Sequence, residues 1–274
     1  MAKRELGKQR VYLHISSSIK NFELKLLNQT GLLPYHPIKN LFSPVVFFGM
    51  YHPVDYLRAL LHIGRTKIFW CGGDIVALQS SPWRWMLNRV WATHYCENTI
   101  EAKALDEVGI TARIRPMIFD SPKFPISFER TDRPHVYMTA HEGREVEYGI
   151  RTIKQLAPFF PNITFHIYGI TGYGAENVTY HGDVSEKQFN SDISKYHAAI
   201  RLNEFDGFAE TLAKSALMGQ YPISVIPYHY ITCVPDEKSL RAALEELPKK
   251  THPNLAARMF WMKTLEVNLA EVIC

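Results

Sequence analysis

The 274-residue chain lacks several features that would settle its class at once. Its four cysteines, at positions 71, 96, 233 and 274, follow no metal-ligand spacing and read as reduced thiols, which suits a cytosolic protein. No run of about 18 apolar residues is present, so no transmembrane helix is expected. The opening MAKRELGKQRVYLHI is charged and has no apolar stretch ahead of its first strand, so no secretory signal is expected either. Without one, the Asn-x-Thr triplets at Asn28, Asn162 and Asn177 are coincidental glycosylation matches. Neither sign of charge dominates. Thirty-one basic against 27 acidic residues leave +4, compatible with a sugar nucleotide, a nucleic acid or an anionic membrane face and selecting none. Repeats, low-complexity tracts and Asp-x-Asp or His/Cys ligand clusters are also missing.

What is present is an α/β alternation at ordinary globular composition, 46% hydrophobic and 21% charged. Short β-branched or aromatic runs predict strands at Val11–Ile15, Val45–Phe48, Lys67–Cys71 and Ala112–Ile118. Helical patterns lie at Val54–His62, Trp83–Thr93 and Thr99–Val108. In Trp83–Thr93, Trp85, Asn88 and Trp91 recur at helical spacing and are expected to pack into a core. An interfacial membrane helix or a base-stacking face would share that pattern. SPKFPISFERTDRP then breaks the periodicity, and its three prolines make 121–134 the expected linker. A second α/β series follows, with strands at Val136–Thr139, Thr164–Tyr168, Val178–His181 and His197–Leu202. Its helices are expected at Val146–Phe159, Glu186–Tyr196, Glu237–Leu247 and Asn254–Val272. The organisation expected is an N-terminal Rossmann-like domain (1–120), a linker, a C-terminal one (135–252) and a closing helix (253–274), with a cleft between the halves.

The stretch RLNEFDGFAETLAKSALMGQYPISVIP (201–227) carries most chemical information. It reads as a strand end, a turn at Asp206-Gly207-Phe208, a helix to Met218, a glycine cap at Gly219 and a new strand after Pro222. Backbone N–H groups opening such a helix lack intrahelical partners, and the helix dipole adds positive potential, so an anion is favoured there. By physics alone the stretch is also an ordinary βαβ crossover. It resembles, however, the donor-site signature of the large retaining family four of GT-B glycosyltransferases, with Asp206, Gly207, Phe208, Thr211, Leu212, Ala216, Gly219 and Pro222 in register. Two positions depart from the pattern: Asp206 stands where the family usually has Glu, and Lys214 stands where it has a ribose-binding carboxylate. An ammonium only donates, so it cannot take over that contact.

The resemblance extends back through HEGREVEYGIRTIKQLAPFFPNITFHIYG (141–169). There Gly143 and Arg144 match a Gly-Arg pair whose arginine clamps the donor diphosphate, and Gly169 matches a glycine near the nucleotide. The family's following lysine falls near Tyr148, so one cation is missing. Lys214, one turn beyond Thr211, is expected to reach back and replace it. His181, Gly182, Asp183 and Val184 resemble the segment under the donor base and would line it chiefly through backbone groups. In the first half, KIFWCGGDI (67–75) is similar to a strand and glycine turn on the acceptor side. Gly72, Gly73 and Asp74 fit, while Cys71 takes a histidine's place. His52, at a second glycine-containing strand end, is a candidate sugar contact. Ser16 to Ser18 stand where many relatives have a glycine-rich loop.

The resemblance implies an α/β GT-B fold and transfer of a sugar from a nucleotide-sugar, UDP- or GDP-linked, to a hydroxyl acceptor with retention. Arg144, Lys214 and the helix N-terminus would stabilise the leaving diphosphate, and Asp206 would accept hydrogen bonds from sugar hydroxyls. No cofactor and no metal are implied. The acceptor classes are a glycan, a lipid-linked molecule or a nucleic acid. The location expected is the cytoplasm, including the inner membrane face as a peripheral protein or a host cytoplasm for a viral one. Three other readings stay open: a viral-type DNA-base glycosyltransferase, a degenerate GT-B protein that binds without turnover, and a non-glycosyl nucleotide-binding module.

Overall fold

The structure is a computed structural model that describes residues 10–87, 91–118 and 123–273. The chain divides into two compact units, Met1–Asp120 with Glu266–Cys274, and Ser121–Leu265. Each is built on one six-stranded parallel sheet.

The first sheet contains β1 (Tyr12–Ile15), β2 (Leu33–Pro34), β3 (Val45–Phe48), β4 (Thr66–Phe69), β5 (Ala92–Cys96) and β6 (Ala112–Ile114), in the order β2-β1-β3-β4-β5-β6. Helices α1 (Glu23–Thr30), α2 (Pro53–Leu61), α3 (Gly73–Gln79), α4 (Arg84–Leu87) and α5 (Thr99–Asp106) connect them. Strand β3 is buried along its whole length, as a central parallel strand covered on both faces must be. The order reverses direction between β1 and β3. In open parallel sheets, ligands bind beyond the strand C-termini at such a switch point.

The second sheet contains β7 (His135–Thr139), β8 (Thr164–Tyr168), β9 (Val178–Gly182), β10 (Ala198–Arg201), β11 (Ile223–Ser224) and β12 (Thr232–Cys233). Its order, β12-β11-β10-β7-β8-β9, is the dinucleotide-fold order, with the switch point between β7 and β10. The helices are α6 (Ile150–Leu156), α7 (Glu186–Ile193), α8 (Glu210–Leu217), α9 (Glu237–Glu246) and the start of α10 (Leu255–Ile273), whose residues from Glu266 on belong to the first unit. Ile153, Leu156, Phe165, Ile167, Ala198 and Leu244 are among the buried side chains that fill its core. Among the described residues, no helix is long and apolar enough to cross a membrane.

Three expectations need correction. The tryptophan-rich segment is not one helix: α4 ends at Leu87 and Ala92–Cys96 is a central strand. The run Thr93–Cys96, β-branched and aromatic, overrides the tryptophan spacing, and Trp91 is 97% exposed rather than packed. Asn88 and the Trp85 side chain lie outside the described residues. Second, the helix expected from Val146 begins only at Ile150. Gly149 sits at φ +71°, where a Cβ would meet Leu202 Cβ at 2.6 Å, so the backbone turns here against the end of β10. Residues 145–149 therefore form turns. Third, the proline-rich segment is anchored along the second unit. Ser127 N–H donates to Met218 O (3.1 Å), Arg258 reaches Phe124 O (2.7 Å), and Glu129 O accepts from His197 (2.9 Å).

Candidate functional sites

The loops after β7 and β10 meet at the second unit's switch point. Tyr148, buried by the turn before Gly149, forms a platform for two guanidinium groups. Arg201 lies 4.5 Å from the ring centroid and Arg144 5.6 Å. Both distances fall within cation–π range. Arg144 is exposed and pairs with Glu147, with its Nε 2.9 Å from the carboxylate. Arg201, at the end of β10, donates from Nε to Asp206 Oδ2 (2.6 Å) and from a terminal nitrogen to Thr139 Oγ1 (3.3 Å). Asp206 Oδ1 accepts from Gly207 N–H (3.1 Å). The second cation beside Arg144 is thus Arg201, which the sequence reading passed over. The signal was available, because Arg201 is the one charge ending the apolar strand run His197–Leu202.

Lys214 does not reach back towards Thr211. Its side chain is 3% exposed, lies 5.9 Å from both the Phe124 and Phe189 rings, and donates to Asn190 Oδ1 (3.1 Å). Glu210 and Glu186 carboxylates stand at 3.6 and 3.8 Å. The ammonium is therefore directed into the α7–α8 packing. This corrects the expectation that Lys214 supplies the missing phosphate cation.

Helix α8 opens with Ala209, which offers no side-chain cap, and Leu212 and Ala213 N–H both turn to Ala209 O. The N–H groups of Glu210 and Thr211 are left without a protein acceptor among the described residues. Nearby, Asn203 Oδ1, Glu210 Oε1 and Thr211 Oγ1 are buried and lack a hydrogen-bond partner. Such orphaned polar atoms require an explanation, and a bound polar ligand is one. Phe208 offers a ligand only its backbone, because its ring is 3% exposed and stacks on Trp261 at 4.3 Å. Leu212 is core, 1% exposed. Gly143 stands in the exposed turn before Arg144, and Gly207 is buried beside Asp206.

Gly169 is needed by the fold. At φ +84°, a Cβ there would lie 2.2 Å from Ala140 O, so only glycine lets the β8 turn cross the β7 turn. Gly182 has both backbone groups occupied, donating to Ile170 O (3.2 Å) and accepting from Gly169 N–H (2.8 Å). Its N–H is thereby spent and only the second lone pair of its carbonyl is left for the expected backbone lining, while Asp183 is exposed and Val184 half-buried. The His181 side chain ends a row of histidines across the sheet. His181 Nε2 lies 2.9 Å from His166 Nδ1, and His166 Nε2 lies 2.8 Å from His135 Nδ1. His197 Nδ1 accepts from His135 N–H (2.9 Å), so its Nε2–H donates to Glu129 O. Burial pushes all four histidines below their ordinary range, His166 to about 3 with added repulsion from His135 and His181.

At the first unit's switch point the polar groups are turned inward. Asp74, fully buried, accepts from Met50 N–H and Cys71 N–H (2.9 Å each) and ties the β3 turn to the β4 turn. Burial raises its pKa to about 6 against those hydrogen bonds. It is a structural staple, which corrects its expected place among acceptor contacts. Gly72 caps α3, Gly73 begins it, and Cys71 is half-buried beside them. His52, before Pro53 of α2, pairs through Nε2 with Ser18 Oγ (2.9 Å) and is partly exposed, so it remains available to a ligand.

The sequence reading missed the cluster beneath His52. Buried Asp55 accepts from His14 Nε2 (2.8 Å), Ser16 Oγ (2.6 Å) and His52 N–H (3.0 Å). Burial opposes its charge, but the His14 and Ser16 bonds prevail and hold the carboxyl below its usual range. His14 and Ser16 lie 41 and 39 residues from Asp55, so no local spacing announces their meeting with it. Among the described residues, no group of three or more His, Cys, Asp or Glu side chains is placed to hold a metal ion.

No protein-family model matches the chain, and no curated protein matches it in sequence. Solved structures do. The chain superposes on Anabaena Alr3699/HepE in complex with UDP-glucose at TM-score 0.63 and 11% identity, covering 97% of this chain and 98% of that one. The lipopolysaccharide outer core galactosyltransferase WaaB, in apo form, matches at TM-score 0.56 and 14% identity, over 94% and 81%. The pneumococcal O-GlcNAc transferase GtfA, with UDP and GlcNAc, matches at 0.54 and 12%, over 86% of this chain. The chain spans only 56% of GtfA and 56% of TarM. Likeness at such identities is a likeness of fold, and together with the two parallel sheets it establishes that this chain has the GT-B glycosyltransferase fold.

Proposed function

We propose that the protein transfers a sugar from a nucleoside-diphosphate sugar to a hydroxyl acceptor, with retention of anomeric configuration. The observation that carries this reading is the second switch point. There Arg144 and Arg201 flank Tyr148 beside an uncapped helix N-terminus and three buried polar atoms without partners. Diphosphate oxygens would take hydrogen bonds from Arg144 and from the Glu210 and Thr211 N–H groups, which concentrate positive potential where leaving-group charge develops. Arginine suits this because its planar fork makes parallel charge-assisted bonds. Arg201 would hold Asp206 in place while Asp206 accepts from sugar hydroxyls. HepE with UDP-glucose and GtfA with UDP favour a uridine donor over a guanosine one.

Calorimetry with UDP and GDP, followed by product analysis with their sugars, tests the reading. UDP is expected to bind, and Arg144→Ala to weaken binding by about 1.5–3 kcal/mol, the range for hydrogen bonds to charged groups, with unchanged melting. Failure of every nucleoside diphosphate to bind would overturn it. A second reading, binding without turnover, is favoured by Lys214, which fills the family's ribose-carboxylate position with a buried cation. Tight UDP binding with neither transfer nor donor hydrolysis would select it.

A further inference from the structure

Beside the Asp55 cluster lies a cavity of about 130 Å³ whose walls include His14 of β1, Arg58 of α2, Tyr35, Lys20 and Glu23. Three observations give it a chemistry. The Arg58 guanidinium, half-buried, has no hydrogen-bond or ion-pair partner among the described residues. The buried carboxylate of Asp55, on the same helix, does not serve it, because Asp55 is already met by His14, Ser16 and the His52 N–H. His14 is 6% exposed, and with Nε2 held by Asp55 its Nδ1 has no partner among the described residues. Among the described residues Lys20 pairs only with Glu23, at 2.7 Å, and its side chain is 60% exposed, so that ion pair exchanges readily for a better one.

We propose that this cavity is an anion subsite that binds a phosphoryl group. A guanidinium and an ammonium brought together from two elements offer more N–H donors than the two oxygens of a carboxylate can accept, and three phosphoryl oxygens match them better. The subsite adjoins the first unit's switch point, where His52 and Ser18 are exposed to a ligand. The phosphoryl group therefore belongs to the acceptor, which is a phosphorylated sugar, polyol or lipid headgroup. That assignment to an acceptor rests on the glycosyl-transfer reading, whereas the anion binding does not.

The test is calorimetry of the full chain with glucose 6-phosphate, dihexanoyl phosphatidic acid, glucose and glucuronate, without nucleotide. The phosphorylated probes are expected to bind and glucose not, and the tighter of the two identifies the source as sugar or lipid. Arg58→Gln should weaken their binding at least about tenfold. Lys20→Gln should weaken it less, and both variants should keep wild-type melting. Arg144→Ala should leave glucose 6-phosphate binding unchanged, which separates this site from the donor phosphate site. Binding insensitive to both Arg58→Gln and Lys20→Gln, or no binding of either phosphorylated probe, would overturn the subsite. Glucuronate binding as tightly as glucose 6-phosphate would overturn the phosphoryl assignment. If UDP fails to bind while glucose 6-phosphate binds through Arg58, the donor reading falls and the subsite stands.

Discussion

The two switch points use charge in opposite ways. In the first unit three carboxylates that follow the strand ends are buried and bonded to the main chain. Asp74 takes two N–H groups, Asp55 takes the His52 N–H, and Glu101 takes the Glu97 N–H. In the second unit the charges at the β7 and β10 loops pair with one another at the surface or partly buried, as Arg144–Glu147 and Arg201–Asp206. A carboxylate that holds backbone together cannot change partners without loosening a turn. A guanidinium in a partly exposed ion pair can trade its carboxylate for a phosphate at small cost. The first edge is a fixed frame whose ligand contacts come from the cations left over, and the second is a set of exchangeable pairs.

Acid should separate the two units most strongly. The histidine row belongs to the second, and its depressed pKa values mean that stability is complete above about 6.5 and is lost as pH falls towards the folded values. For His166, at about 3, the span corresponds to roughly 4–5 kcal/mol. In the first unit burial holds His94 at about 4, but Asp74 has the opposite sign. Its penalty is present at neutral pH and is relieved as pH falls through about 6. Hydrogen exchange at pH 7.5 and 5.0 should therefore show the second sheet losing protection first, and His166→Phe should flatten that response. Parallel loss in both sheets would break the comparison.

The Asp74 staple gives the next largest effect. Asp74→Ala leaves the Met50 and Cys71 N–H groups buried and unpaired, at about 1–3 kcal/mol each. Relief of the buried charge offsets part of this, leaving a loss of about 2–4 kcal/mol. Exchange should quicken in the 49–52 and 71–74 turns while UDP affinity stays at the wild-type value. A variant with native melting would show that the first edge is no more fixed than the second.

Much of the fold was legible, and the reasons differ by element. Val45–Phe48 was legible to the residue because a central parallel strand is a continuous apolar run, and Thr164–Tyr168 because β-branched and aromatic residues favour a strand. The helix after Asp206 and its cap at Gly219 (φ +76°) followed from local glycine and proline chemistry. Strand β5 was masked by tryptophans whose spacing imitates a helix, and only pairing with β4 and β6 settles it. The candidate site was legible where the chain is local, as at Arg144 and the α8 turn. It was not where partners come from distant segments. Arg201 reaches the Tyr148 ring, and His14 and Ser16 reach Asp55, only through tertiary structure.

Lys214 decides whether the distinction between fixed and exchangeable charge follows the unit or follows burial. It belongs to the second unit, yet like Asp74 it is buried and held by several groups. Lys214→Met keeps an unbranched chain against Phe124 and Phe189 while removing the bond to Asn190 and the attraction to Glu210 and Glu186. Because both carboxylates retain some solvent access, the stability loss should be only about 1–2 kcal/mol, below the cost of stranding a fully buried charge. UDP affinity should not change, since the ammonium is directed between α7 and α8. Calorimetry and urea unfolding of the same variant separate the outcomes. A tenfold loss of UDP affinity at native stability would make Lys214 a phosphate ligand after all and tie exchangeability to the unit. Lost stability at native affinity ties it to burial, so that a cation can be exchanged only where water already reaches it.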